Sequence, residues 1–121
     1  MRFLMLYRPA DQERLEAGVP PTPQEIAEMG TFIQETVKTG TLLAAEGCLP
    51  SSKGARVRRS GEKLTVIDGP FTESKELIAG FALVQAKSKE EAIELAKRFL
   101  KVAGDGESEI RQVHDTPALA T

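Results

Sequence analysis

Two apolar runs that fail to alternate constrain this chain more than any other feature. Arg2-Phe3-Leu4-Met5-Leu6-Tyr7 is short and closed by Pro9. A strand with one wet face would alternate apolar and polar residues, so this run reads as a strand buried on both faces, central in its sheet. Ile78 to Gln85, rich in β-branched and aromatic residues with Gly80 inside it, has the same character and is the second candidate central strand.

Between and after these runs the signals are helical. Thr22-Pro23-Gln24-Glu25 combines a capping hydroxyl, a proline at the first helical position and a glutamate three residues past the cap. Ile26, Met29, Ile33 and Val37 follow at helical spacing, and Gly40 is placed to end the helix. Ser88-Lys89-Glu90-Glu91 opens a second helix whose face carries Ala92, Leu95, Ala96 and Phe99 up to Gly104. Residues 10 to 21 read as a polar, proline-bearing connection, and Thr41 to Pro50 as a short strand before the Glu46-Gly47 turn. Val57 and Leu64-Thr65-Val66-Ile67 flank Ser60-Gly61 as a hairpin, halted by Asp68-Gly69-Pro70. Glu109 to His114 reads as the last strand, with a frayed tail after Pro117.

That order predicts an α+β, ferredoxin-like split βαβ unit: an antiparallel four-stranded sheet with two helices on one face. Its 121 residues suit a single domain, 1–121. The helices hide one sheet face only, yet the central strands are apolar on both. A second copy packed sheet against sheet would cover the other face, giving a homodimer, a dimeric α+β barrel with an intersubunit cavity between the sheets for a small-molecule ligand; a tail or long loop folded over the sheet is the alternative cover.

Composition excludes several partners. Sixteen basic against eighteen acidic residues leave a net charge of -2, so no global field draws the chain to nucleic acid. Lys53, Arg56, Arg58 and Arg59 cluster locally, but without interleaved aromatic residues they read as protection of a strand edge. No apolar stretch approaches a membrane span, and the N-terminus lacks a signal-peptide layout, so a cytoplasmic protein without membrane contact is expected. Cys48 is the one cysteine and reads as a buried, inert thiol; no metal site and no cofactor are expected.

Chemistry concentrates in Asp68-Gly69-Pro70-Phe71-Thr72-Glu73-Ser74-Lys75-Glu76, a loop at one sheet end. Asp68 closes an apolar strand, where partial desolvation would raise its pKa toward that of a general base. An Asx-turn would use the same residue with no chemistry at all. Glu46 could approach the same sheet end, and Glu73, Lys75 and Glu76 could bind a polar ligand.

Val66-Ile67-Asp68-Gly69-Pro70-Phe71-Thr72-Glu73, followed by Lys75-Glu76 and Gly80, resembles the signature of the DGPF family within the YCII-related proteins. The resemblance extends through the first strand, Glu46-Gly47 with Leu49-Pro50, Val57-Arg58 and Glu109-Ile110-Arg111. It implies a dimeric α+β barrel similar to muconolactone isomerase, in a family whose substrates are usually unassigned. Some relatives are encoded beside or fused to extracytoplasmic-function sigma factors. The family's proposed His–Asp dyad matches Asp68 here, whereas its histidine has no counterpart: His114, the single histidine, belongs to the last strand, at the edge opposite the strand ending in Asp68. Two functions follow as expectations. One is a cofactor-free isomerase or lyase acting on a small organic acid, with Asp68 catalytic and Glu46, Glu73 and Lys75 binding ligand. The other is a non-catalytic small-molecule-binding or regulatory module linked to sigma-factor-dependent transcription.

Overall fold

The computed structural model describes residues 1–71 and 74–115. Strand β1 (Arg2–Pro9) is followed by a one-turn helix α1 (Gln12–Glu16), helix α2 (Pro23–Lys38), strand β2 (Leu42–Gly47) and a 3-10 turn at Ser51–Lys53. Then come β3 (Ala55–Ser60), β4 (Lys63–Asp68), β5 (Gly80–Gln85), helix α3 (Lys89–Ala103) and β6 (Gly106–Gln112). β2, β5, β1 and β6 form, in that order, an antiparallel four-stranded sheet with the two apolar runs as its central strands. This is the expected ferredoxin-like arrangement.

Both long helices start as their sequences dictate. Thr22 accepts the Glu25 N–H at 3.1 Å while the Glu25 carboxylate accepts the Thr22 N–H at 2.9 Å, a reciprocal capping box. Ser88 caps α3 through the Glu91 N–H. The face of α3 carrying Ala92, Leu95 and Ala96 is buried against Phe3, Met5 and Val84 of the sheet, with Phe99 half-buried beside them. Burying a side chain the size of Phe3 or Val84 contributes about 1.5–3 kcal/mol each.

Four expectations need correction. The connection 10–21 contains α1, which buries no side chain and is held instead by Gln12: its Nε2 donates to Pro9 O and Leu77 O, and its Oε1 accepts from Leu77 N. On α2 the stripe read from spacing is not packed as a buried face, because Ile26, Met29 and Ile33 look onto a cavity above the sheet. Phe32 and Thr36 turn inward, whereas Ile26, Ile33 and Val37 are exposed. The β3–β4 hairpin stands apart as its own two-stranded sheet, so the strand ending in Asp68 forms no edge of the main sheet. Cys48 is exposed, lying in the turn beyond β2, where its backbone N–H donates to Ala79 O. The tail after Pro117 lies outside the described residues.

The register sorts the sheet into two faces, because directly paired residues share a side. Toward the helices run the rows Leu42–Val84–Phe3–Gln112, Ala45–Ala82–Met5–Ile110 and Gly47–Gly80–Tyr7–Ser108. On the open face lie Ala44–Leu83–Leu4–Arg111 and Glu46–Phe81–Leu6–Glu109. Its centre is apolar, and Arg8 of β1 with Glu109 and Arg111 of β6 forms an ion-paired margin.

Candidate functional site: a cavity between the helices and the sheet

Small side chains on β2 and β5 leave room under α2. Ala45, Gly47, Gly80 and Ala82 occupy helix-facing positions where large residues would otherwise meet the helix. At Gly80 there is no space for even a methyl group, since a Cβ would lie 2.8 Å from the Glu46 carbonyl oxygen. The space above this floor is a cavity of about 770 Å³, roofed by Ile26, Met29, Gly30 and Ile33 of α2 and closed at the α3 side by Phe99 and Val102. Its size falls among those of small-molecule sites, and its wall is mostly apolar.

Few polar groups reach it. Thr36 spends its hydroxyl on the carbonyls of Phe32 and Ile33. Glu25 is engaged by the Thr22 N–H and by Arg14 at 2.9 Å; these bonds, the backbone one first, hold its carboxyl down at about 2. Tyr7 packs edge-on against Phe99, with ring centroids 5.2 Å apart, and burial together with the negative charge of Asp105 raises its phenol pKa. Ser108, the cross-strand neighbour of Tyr7, completes this end of the wall. Glu46 borders the cavity too, although the register places its side chain in the open-face row beside Phe81, so it meets the cavity from the sheet edge.

The other candidates lie elsewhere. Asp68, at the base of the hairpin opposite Ala55, is exposed and outside the cavity wall. Among the described residues no hydrogen bond reaches its carboxylate; the N–H that follows it, of Gly69, goes instead to Gly54 O at 3.0 Å. Lys75 and Glu76 line a separate hollow of about 380 Å³ with Arg8 and Glu107. Glu73 lies outside the described residues. His114 is exposed, its carbonyl accepting from Arg2.

What surrounds Asp68 is a clasp. Ser51 donates its hydroxyl to Glu16 of α1 and accepts the Phe71 N–H at 2.9 Å on the same oxygen. A Cβ on Gly69 would sit 1.7 Å from the Ser51 carbonyl oxygen, so only glycine permits this approach. Phe71 is 8% exposed, with the Arg56 guanidinium 3.8 Å above its ring. The Gly-Pro-Phe portion of the motif therefore fastens the hairpin to the 3-10 turn and to α1. Reasoning from sequence missed Ser51 and Glu16 because their bond joins segments 35 residues apart. It missed Tyr7 and Ser108 because only the pairing of β1 with β6 makes them neighbours.

Among the described residues no helix is long and apolar enough to cross a membrane, and no cluster of three or more His, Cys, Asp or Glu side chains could hold a metal ion. An uncharacterized protein of Rhizobium meliloti (strain 1021) is 36% identical over 70 residues, a match spanning 58% of this chain and 56% of that protein's length. Among solved structures, the 5-chloro-2-hydroxyhydroquinone dehydrochlorinase of Burkholderia phenoliruptrix AC1100, in complex with 2,5-dihydroxybenzoquinone, superimposes with a TM-score of 0.52. That likeness covers 94% of each chain at 14% identity, and it is one of fold. The sequence model of the YCII-related domain matches residues 1–116, nearly the whole chain, and with the ferredoxin-like topology just described it establishes that this protein belongs to the YCII-related family.

Proposed function

We propose that this chain is a homodimer that binds a small organic molecule in the cavity between α2, α3 and the sheet, and acts on it as an isomerase or lyase through proton transfer, without a cofactor. The cavity carries the reading: about 770 Å³ of mostly apolar space with a few polar groups at its ends. A structure of the same fold, the dehydrochlorinase bound to 2,5-dihydroxybenzoquinone, lends support as a small-molecule enzyme. Asp68 is our candidate proton acceptor. An Asx-turn would have occupied its carboxylate with backbone N–H groups, and no such bond is present among the described residues. Asp68 itself is not part of the cavity wall; its neighbour Gly69 touches the Ser51 turn, into which the chain runs from Gly47 at the cavity's edge.

The test begins with ligand-observed NMR of ring-sized organic compounds. Hits should shift the methyl resonances of Met29 and Ile33, and Ala45→Leu, which fills the floor, should abolish them while the fold persists. Hits are then incubated in deuterated buffer to follow solvent exchange at their acidic C–H positions. Exchange should occur with the wild type and fall at least about a hundredfold in Asp68→Asn, in keeping with the usual contribution of a general base. Exchange that is equally fast in Asp68→Asn would remove that residue from the chemistry; no binding to the cavity at all would sink the reading.

A further inference from the structure

One hydroxyl in the cavity wall has no use in the fold. Ser108 Oγ is buried and has no hydrogen-bond partner among the described residues, and β6 holds Ser108 on the helix-facing side opposite Tyr7. A buried, unpaired hydroxyl is destabilising, and a ligand that pairs it recovers that loss. The Tyr7 hydroxyl beside it is only loosely engaged. Its acceptors, Ala103 O and Asp105 O, lie 3.5 and 3.4 Å away, beyond the 2.5–3.0 Å of a good O–H···O bond. Because the phenol pKa is raised, Tyr7 keeps its proton through neutral pH and remains a donor.

The charges point the same way. The wall contains two ionisable carboxylates and, among the described residues, no lysine, arginine or histidine. Residues 72–73 and 116–121 contain none of these three types either. Arg14 is committed to Glu25, and the Glu46 side chain belongs to the open-face row. A carboxylate or phosphate entering this space would lose its water with no cation to replace it, which is unfavourable in apolar surroundings. An uncharged hydroxyl or carbonyl loses less and meets both Ser108 and Tyr7.

We infer that the cavity selects an uncharged organic molecule of one or two rings, bearing a hydroxyl or carbonyl that Ser108 Oγ and Tyr7 Oη read together, and that it rejects the organic acids suggested by the sequence. This rests on the cavity being the binding site. Three probes of nearly equal shape separate the two claims: 4-methylphenol, 4-methylbenzoate and para-xylene, titrated at pH 7 into labelled wild type, Ser108→Ala and Tyr7→Phe. 4-Methylphenol should shift the Met29 and Ile33 methyls and bind about tenfold more weakly to either variant, the loss of one hydrogen bond. para-Xylene should bind all three proteins alike, which also shows that the variants keep the cavity. 4-Methylbenzoate should bind the wild type at least tenfold more weakly than 4-methylphenol. Equal affinity for the benzoate and the phenol, or phenol affinities unchanged in both variants, would overturn the inference and leave the cavity as the site. Failure of all three probes, para-xylene included, would remove the site as well.

Discussion

Glu25 links a local sequence signal to a measurable property of the folded chain. Its carboxylate caps α2 through the Thr22 N–H and binds Arg14, and these partners depress its pKa from 4.5 to about 2. A carboxyl whose pKa is lower when folded stabilises the protein above its unfolded value, and that stabilisation disappears as the pH falls through the folded one. Urea midpoints of the wild type and Glu25→Gln should therefore be separated above pH 4.5, with the wild type more stable, and converge as the pH drops toward about 2. Midpoints that stay parallel across that window would mean that the ionised carboxylate is not what holds the cap. Because Glu25 is exposed to solvent, salt should narrow the separation.

At the scale of elements, the β3–β4 hairpin is the least self-sufficient part. Two isolated strands are marginal in water, and Val57, Leu64 and Val66 leave about two-thirds of their surface exposed. What keeps the hairpin in place is the contact of Gly69 with Ser51 and the buried Phe71 ring under Arg56. Gly69→Ala forces a methyl group into the Ser51 backbone, and overpacking of this kind costs about 1–3 kcal/mol. Hydrogen exchange should then show β3 and β4 losing protection while β1 and β5 keep theirs. Uniform loss across the sheet would mean that the hairpin folds as one unit with it. Helix α2 teaches a related lesson. Its spacing revealed a helix with an apolar side, but Ile26 and Ile33 look onto a cavity and Thr36 takes the buried place, a choice made by what the facing strands present.

For the whole molecule, the proposed dimer rests on the open sheet face. Leu4, Leu6, Leu83 and Phe81 form its centre, Phe81 39% exposed, and the paired charges of Arg8, Glu109 and Arg111 lie along one margin. An apolar patch with a polar margin is the pattern of a C2 interface. Phe81→Asp would place a buried charge opposite its own copy, so sedimentation should show a monomer where the wild type sediments as a dimer. The core between α3 and the sheet lies on the other face and should survive, with near-native circular dichroism. A wild type that sediments as a monomer would end the dimer proposal.

How much of this was legible without the structure depends on the range of the interactions. Properties set within one turn or one strand were readable from residues alone: the unbroken apolar character of β1 and β5, the capping pairs Thr22–Glu25 and Ser88–Glu91, and the Ala92–Leu95–Ala96 face of α3. Together they determined the ferredoxin-like order of elements, since few chain paths bury two central strands and two amphipathic helices at once. Everything that depends on cross-strand register or on loops meeting at a distance was decided by the tertiary structure. Ala45, Gly47, Gly80 and Ala82 are unremarkable in sequence and become a cavity floor only when β2 pairs with β5. Asp68 looks like the end of a sheet strand until the hairpin is seen to stand outside the sheet, fastened by a glycine and a serine that no local pattern connects. Local signals report what a residue does to its own backbone, whereas a site is made by side chains brought together through packing.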